Sequence, residues 1–266
     1  MPLPNALTAL HGRLVIGHRG NAAHAPENTI ESFRQALALG VDAIELDVRL
    51  TRDGVPVVIH DPTLGRTTDR NDAVADISFA SLRRADAGAA FTPDAGATFP
   101  YRGRGLTIPT LREVIDATPG VPLLIEVKVP EAASAIVDVL VDGGASGRAV
   151  AASMQRDAIL PLRAAHLATG ASAMDVLSLW LLLLRGETRP VLPYTALCIP
   201  RVYGWLPIPV AGLARLAKAA GVATHVWTVD DPAAAQKLWR SGVQGIVTND
   251  PAMMLRLRAQ LVAGLG

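Results

Sequence analysis

The sequence predicts a closed α/β barrel of about eight parallel strands, each followed by a helix. Three observations carry this. Short apolar runs rich in β-branched residues alternate with longer Ala/Leu-rich stretches from about residue 13 onward, which argues a parallel sheet with helical crossovers. About eight such repeats fit within 266 residues, the size of one (β/α)8 TIM barrel. No Gly-rich phosphate loop follows the first strand, which disfavours an open doubly wound sheet.

Residues 13–17 read as the first strand, and residues 27–39 as a helix with Ile30, Phe33 and Leu37 on one face, Asn28 as N-cap and Gly40 as stop. Residues 41–48 form the second strand, extended by a short one at 55–59 that ends at His60. Between residues 61 and 107 the rhythm stops. With one helical candidate at 78–85, this segment is expected to be a small insertion after the second strand, over one mouth of a single barrel domain spanning residues 1–266. The rhythm resumes with a helix at 110–117 capped by Thr110, a strand at 121–127, a helix at 131–142, a strand at 148–153 and a helix at 156–168. A weak strand at 170–174 precedes an apolar helix at 176–185. Strands at 196–199, 223–229 and 245–248 alternate with helices at 210–220, 232–240 and 251–262, and the last helix carries Pro251 in its first turn.

Hydrophobic residues make up 50% of the chain and charged residues 18%, as expected of a large, well-covered core. A net charge of +1 gives no bulk attraction to nucleic acid or to an anionic membrane, so any anion recognition must be local. The single cysteine, Cys198, rules out a disulfide within the chain, and its apolar setting reads as a buried hydrophobe. Residues 1–12 lack a basic n-region and an apolar h-region. The longest apolar run, 177–184, is broken by Ser178 and falls short of the ~20 residues of a membrane span. A soluble, cytoplasmic protein is expected.

Chemistry enters at the second strand. Side chains alternate faces along a strand, so Glu45 and Asp47 share one face, while Ile44, Leu46 and Val48 share the other. Two acids pointing the same way from an apolar strand call for a cation. In a parallel barrel the site forms where strands end. The polar residues there are His18 and Arg19 after the first strand, His60-Asp61 after the extension, Glu126 and Lys128 on one face of the third strand, and Trp227 on the seventh. Glu45, Asp47 and Glu126 offer oxygen ligands to a hard divalent cation. With no Cys/His cluster at zinc spacing, Mg²⁺ or Ca²⁺ is preferred. Arg19 and Lys128 suit phosphate oxygens, and His18 and His60 can divide acid and base roles.

The ordered set His18-Arg19-Gly20, Pro26-Glu27-Asn28-Thr29, Glu45-Leu46-Asp47-Val48, Thr51-Arg52-Asp53-Gly54, His60-Asp61, Leu64-Gly65-Arg66-Thr67-Thr68, Glu126-Val127-Lys128 and Val226-Trp227-Thr228-Val229 resembles the signature of the glycerophosphodiester phosphodiesterase family. The resemblance runs from about residue 14 to 255. It implies hydrolysis of a small-molecule glycerophosphodiester to sn-glycerol 3-phosphate and an alcohol. It also implies Glu45, Asp47 and Glu126 as ligands of Mg²⁺ or Ca²⁺, His18 and His60 as the acid/base pair, Arg19 and Lys128 as phosphate contacts, and Trp227 as a wall of the glycerol pocket.

Two departures stand out. The last strand ends in Thr248-Asn249-Asp250, where the family usually has Thr-Asp, so if that position supports the site by a charge, either Asn249 weakens the support or Asp250 substitutes. Ser153-Met154 replaces a common Ser-Phe. The stretch 176–185, with Trp180 inside it, is apolar almost all round and reads first as a buried barrel helix. Its second reading is a patch for membrane or a lipid chain, and with it a lysophospholipase D-type activity on lysolipids.

Overall fold

The computed structural model describes residues 5–263. Residues 1–4 and 264–266, part of the span expected for the barrel domain and, at the start, of the stretch read for a leader, lie outside the described residues. Seven parallel strands run around a nearly closed barrel: β1 (Leu14–His18), β2 (Ala43–Leu50), β4 (Leu123–Val127), β5 (Ala149–Ala152), β6 (Ala196–Pro200), β9 (Ala223–Trp227) and β10 (Gly245–Thr248). Their spatial order is β5-β4-β2-β1-β10-β9-β6. β3 (Pro56–Val58) folds back antiparallel on β2, pairing Val48 with Val58. Around the barrel lie α1 (Ile30–Leu39), α3 (Leu111–Ala117), α4 (Ala133–Asp142), α5 (Arg156–Ala164), α6 (Ala173–Leu184), α7 (Val210–Ala219), α8 (Pro232–Arg240) and α9 (Pro251–Ala263), with a one-turn α2 (Phe79–Leu82) outside the ring. This is the predicted (β/α)8 barrel.

The place of the eighth strand shows the largest departure from the pattern. Instead of a strand at 170–174, single parallel bridges join Ala151 to Thr169 and Gly170 to Ala196, and they close the ring between β5 and β6. Ser172 ends the extension there. Its hydroxyl accepts from the Asp175 amide, and the Asp175 carboxylate accepts in return from the Ser172 amide, so a capping box starts α6 at Ala173. α1 also begins later than expected. Thr29, not Asn28, is its N-cap, accepting from the Ser32 amide at 3.2 Å. Asn28 is instead in the left-handed region, at φ 57°, and is committed to the site. The stretch after β6 carries a small hairpin of β7 (Val202–Tyr203) and β8 (Leu206–Pro207), which turns at Gly204 and Trp205.

The period-two pattern of each strand sorts the core. Outward-facing Ile44, Leu46, Leu123 and Ile125 pack under Phe33, Leu111, Ile136 and Leu140. On the other half, Leu197, Val226 and Ile246 pack under Leu213, Trp239 and Met254. Inward-facing Ile16, Leu124, Val150, Ala196 and Val247 fill the barrel itself. Residues 61–107 contribute no barrel strand. Leu64, Val74 and Leu82 form a small core of their own against Val57, Ile59 and Ile108. No described helix is long and apolar enough to cross a membrane.

The barrel floor holds a histidine. His225 is fully buried, and its Nε2–H donates to the Leu7 carbonyl at 2.7 Å, which leaves Nδ1 unprotonated. Gly245 lies against that ring, where a Cβ would stand 2.2 Å from Nδ1. Burial pushes the imidazole down to about 4. A group whose folded value lies below its unfolded one contributes stability above the unfolded value and loses it as pH falls. The loss here runs from about pH 6.5 to about pH 4. Urea unfolding at pH 7, 5 and 4 should therefore show the wild type losing roughly 3 kcal/mol more than His225→Gln over that range.

Candidate active site

Backbone register brings the chemistry together. Parallel pairing sets His18 beside Glu45 across β1 and β2, and Asp47 beside Glu126 across β2 and β4. The β2–β3 hairpin returns the chain so that His60 follows, with its carbonyl held at 2.7 Å by Arg49 Nε. His18, Arg19, Glu45, His60, Glu126, Lys128 and Trp227 line one cavity of about 180 Å³ at the C-terminal ends of the strands. Asp47, the remaining residue singled out from the sequence, is buried beneath the cavity wall.

Asp47 has no exposed surface and is surrounded by donors and cations. Asn28 Nδ2 donates to its Oδ2 at 2.8 Å, and Arg19 Nε lies 3.0 Å from the same oxygen. Lys128 Nζ lies 2.9 Å from Oδ1 and 2.8 Å from Glu126 Oε1. The Lys128 approach to Asp47 is an ion pair without hydrogen-bond alignment, so Oδ1 has no hydrogen-bond donor. Burial pushes the Asp47 carboxyl up, but Lys128 and Arg19 outweigh it and hold the group below the usual range. Against the same opposition from burial, the carboxylates hold Lys128 and Arg19 above their ordinary values.

Arg19 reaches this position through a left-handed backbone at φ 51°, a conformation that costs a non-glycine residue roughly 1 kcal/mol. The turn aims the Arg19 amide at Glu45 Oε2, 3.0 Å away, and its guanidinium at Glu27 Oε1, 2.8 Å away. Glu45 is the odd member. Burial, then Asp47 and Glu126, push its carboxyl well above the usual range. Ligand oxygens from Glu45, Asp47 and Glu126 all lie within 4.8 Å of one another. A crowded, all-oxygen set, with Glu45 and Asp47 buried and Asp47 Oδ1 lacking an aligned hydrogen-bond donor, fits a hard divalent cation.

Each histidine is oriented by a partner on its Nδ1. His18 Nδ1 lies 2.7 Å from Asn249 Oδ1. The Asn249 amide is fixed in turn, because its Nδ2 donates to Asp230 Oδ2 at 2.7 Å and a carboxylate only accepts. His18 must therefore carry its proton on Nδ1, leaving Nε2 free, 3.9 Å from Glu45. Burial, then Arg19, push its pKa down, which favours this neutral form. His60 Nδ1 meets Asp61 Oδ1 at 2.5 Å. Arg66, bonded to Asp61 at 2.6 Å and to Glu27 at 2.7 Å, holds Asp61 down at about 2, with help from His60.

Asp230, Arg66 and the site role of Asn28 were not foreseen from the sequence. The Val226-Trp227-Thr228-Val229 match stops one residue short of Asp230. Of the two alternatives for the end of the last strand, substitution by Asp250 is not met. That residue accepts from the Met253 amide at the start of α9 and faces the half-exposed His24 at 3.7 Å, whereas Asp230 supplies the carboxylate behind Asn249. Cys198 lines the cavity as a buried thiol, pushed up to about 12 by burial, then by Glu126 and Glu45. It remains a thiol at neutral pH, in keeping with its apolar reading.

Residues 18–253 match the model of the glycerophosphoryl diester phosphodiesterase family. A glycerophosphodiester phosphodiesterase of Caldanaerobacter subterraneus subsp. tengcongensis is 32% identical, over 92% of this chain and 97% of that protein. A phosphodiesterase of Oleispira antarctica, solved in complex with the product sn-glycerol-3-phosphate, superposes with a TM-score of 0.73 at 28% identity, over 92% of this chain and 96% of that one. The glycerophosphoryl diester phosphodiesterase domain of a Mycobacterium tuberculosis protein shares the fold, with a TM-score of 0.80 at 22% identity over 93% of this chain and 100% of that one. With a barrel of this topology and with its conspicuous polar residues gathered at one strand-end cavity, the chain belongs to the glycerophosphoryl diester phosphodiesterase family, a family of phosphoric diester hydrolases.

Proposed function

We propose that this barrel, with residues 61–107 as its insertion, hydrolyses glycerophosphodiesters to sn-glycerol 3-phosphate and an alcohol, using a divalent cation and two histidines. One observation carries the reading: two imidazoles, each oriented through Nδ1, share a cavity with two carboxylates and two cations, and a third carboxylate of the same cluster lies buried beneath its wall. Glu45, Asp47 and Glu126 would hold the metal, Mg²⁺ or Ca²⁺ by the hardness of their oxygens. Such an ion supplies Lewis-acid stabilisation of the charge that builds on the phosphoryl oxygens.

The chain's own residues do the rest. Arg19 and Lys128, held charged by Asp47, contact the phosphate oxygens and fix the diester in place. Trp227 bounds the glycerol end of the cavity. His18, with Nε2 unprotonated, takes the proton of the attacking hydroxyl. His60, its Nδ1–H tied to ionised Asp61, delivers a proton to the departing alcohol from Nε2. The attacking hydroxyl is that of water, whose oxygen ends on phosphorus and whose proton ends on His18. The P–O bond to the alcohol breaks as the alcohol takes the proton from His60. His18 and His60 return to their starting forms by exchanging protons with solvent.

Five measurements test this. A chelator should abolish turnover of glycerophosphocholine, and Mg²⁺ or Ca²⁺ should restore it. By calorimetry, Glu45→Gln should no longer bind the ion. In the wild type, affinity should climb as pH rises, because the raised Glu45 carboxyl must lose its proton to become a ligand. His18→Ala and His60→Ala should each lower kcat by roughly 10²- to 10⁴-fold with the protein still folded. Asn249→Leu should lower kcat about 10- to 100-fold with KM little changed. In ¹⁵N imidazole spectra the same substitution should convert His18 from one tautomer to a mixture.

A further inference from the structure

Strand β2 carries a third polar residue on the face that bears Glu45 and Asp47. Side chains alternate along a strand, so Arg49 follows those two at the same period, one step nearer the barrel mouth. Its backbone pairs with Val57 of β3, the arm that leads to His60. Its Nε donates to the His60 carbonyl at 2.7 Å, which fixes the guanidinium beside that histidine. Arg49 is not among the residues that line the cavity, so it stands just outside it, on the flank of His60. The rest of its fork is uncommitted. Among the described residues no hydrogen bond or ion pair engages either Nη, and neither is sealed from solvent. Asp47, Asp61 and Glu126 are the carboxylates near enough to act on its charge. Each is matched to another cation: Asp47 to Arg19 and Lys128, Asp61 to Arg66, and Glu126 to Lys128. Arg19 and Arg66 each touch two carboxylates, since they also share Glu27. Arg49, half-buried at the same mouth, touches none among the described residues.

Resting on the hydrolase reading above, we propose that Arg49 selects the departing alcohol, so that the enzyme prefers glycerophosphodiesters whose alcohol bears an anionic oxyacid group, a carboxylate or a second phosphate. His60 protonates the departing oxygen, so whatever that oxygen carries emerges on the flank where Arg49 stands. Arg19 and Lys128 are taken by the phosphoryl group that reacts, and Arg66 is held by two acids. Arg49 is left as the cation that discriminates among alcohols. A guanidinium presents a planar fork that matches a carboxylate or phosphate through parallel N–H bonds. An anionic alcohol gains those bonds, and a cationic one meets like charge. The bond that breaks is unchanged: it is the P–O bond to the alcohol.

The experiment uses three sn-glycero-3-phosphodiesters of matched length, the esters of 3-hydroxypropanoate, 1,3-propanediol and 3-aminopropanol. Their far ends are anionic, neutral and cationic at neutral pH. In the wild type at low ionic strength, kcat/KM for the anionic ester should exceed that for the cationic one by about tenfold or more, the gain of one charge-assisted pairing. The excess should shrink as salt rises, because both Nη reach solvent. Arg49→Gln should lower the anionic-to-cationic ratio by about tenfold, and Arg49→Lys, which keeps the charge without the fork, should give an intermediate ratio. Both substitutions also disturb the His60 carbonyl and lower all three rates, so the readout is the ratio relative to wild type, in which leaving-group reactivity cancels. A wild-type ratio near one, or a preference for the cationic ester, overturns the proposal. So does a uniform fall in Arg49→Gln with the ratio unchanged, which makes Arg49 a support for His60 alone. The salt dependence is read on the wild type and decides the matter even where neither variant folds: a ratio insensitive to salt overturns the proposal. In each of these cases turnover of the neutral ester leaves the hydrolase reading intact. Failure to turn over any of the three esters overturns both readings.

Discussion

A carboxylate with no access to water sets the terms for the whole strand-end face. Asp47 is completely buried, and a bare buried charge is prohibitively expensive. Three separate segments are therefore drawn to it. Arg19 comes from the turn after β1, Asn28 from the turn before α1, and Lys128 from just beyond β4. Both turn residues adopt left-handed backbones, and the Asn28 amide donates to the Arg19 carbonyl at 3.1 Å, so the two strained positions brace one another. Gly20 belongs to the same bracing. A Cβ there would stand 2.4 Å from Ser32 Oγ, and that hydroxyl donates to the Arg19 carbonyl at 2.9 Å. Fixing one charge thus fixes the conformation of the loop that presents His18.

The two imidazoles are supported by unlike devices. His60 leans on Asp61, the next residue in the chain, and Arg66 from the insertion locks that acid. His18 leans on a neutral amide whose orientation is dictated by a more distant acid. The carboxylate puts a full negative charge beside one ring, whereas the amide oxygen fixes the tautomer of the other without adding one. Burial of His18 beside Arg19 acts in the same direction as that neutral contact. One pocket therefore holds the same side chain in two unlike settings.

Much of this was legible before any coordinates. Strand and helix rhythm gave the barrel, and the alternation in β2 placed Glu45 and Asp47 inward and Ile44, Leu46 and Val48 outward. Both are local, periodic signals that survive folding. Thr110 was also readable as a cap, since its capping box with Glu113 is entirely local. What escaped was long-range or conformational. Asn28 looks like a helix cap until the turn places it against Asp47, 19 residues on and on the strand next to β1. Asp230 and Asn249 are 19 residues apart, and nothing in either neighbourhood announces their bond. The weak strand expected at 170–174 was misjudged because the capping box at Ser172 and Asp175 outcompetes extended structure.

That abbreviated strand has a consequence for the mechanics of the barrel. Between β5 and β6 the ring is held by two bridges at Thr169 and Gly170, where the other staves share continuous ladders. Gly170 lies so near Ala152 that an added Cβ would come within 2.9 Å of the alanine's own, so no side chain can thicken the joint. The perimeter is consequently fastened at one thin joint with a fixed address. Backbone pairing of the wall is sparsest there, beside Met154 and at the foot of α6, and densest in the sector that carries β1, β2 and β4.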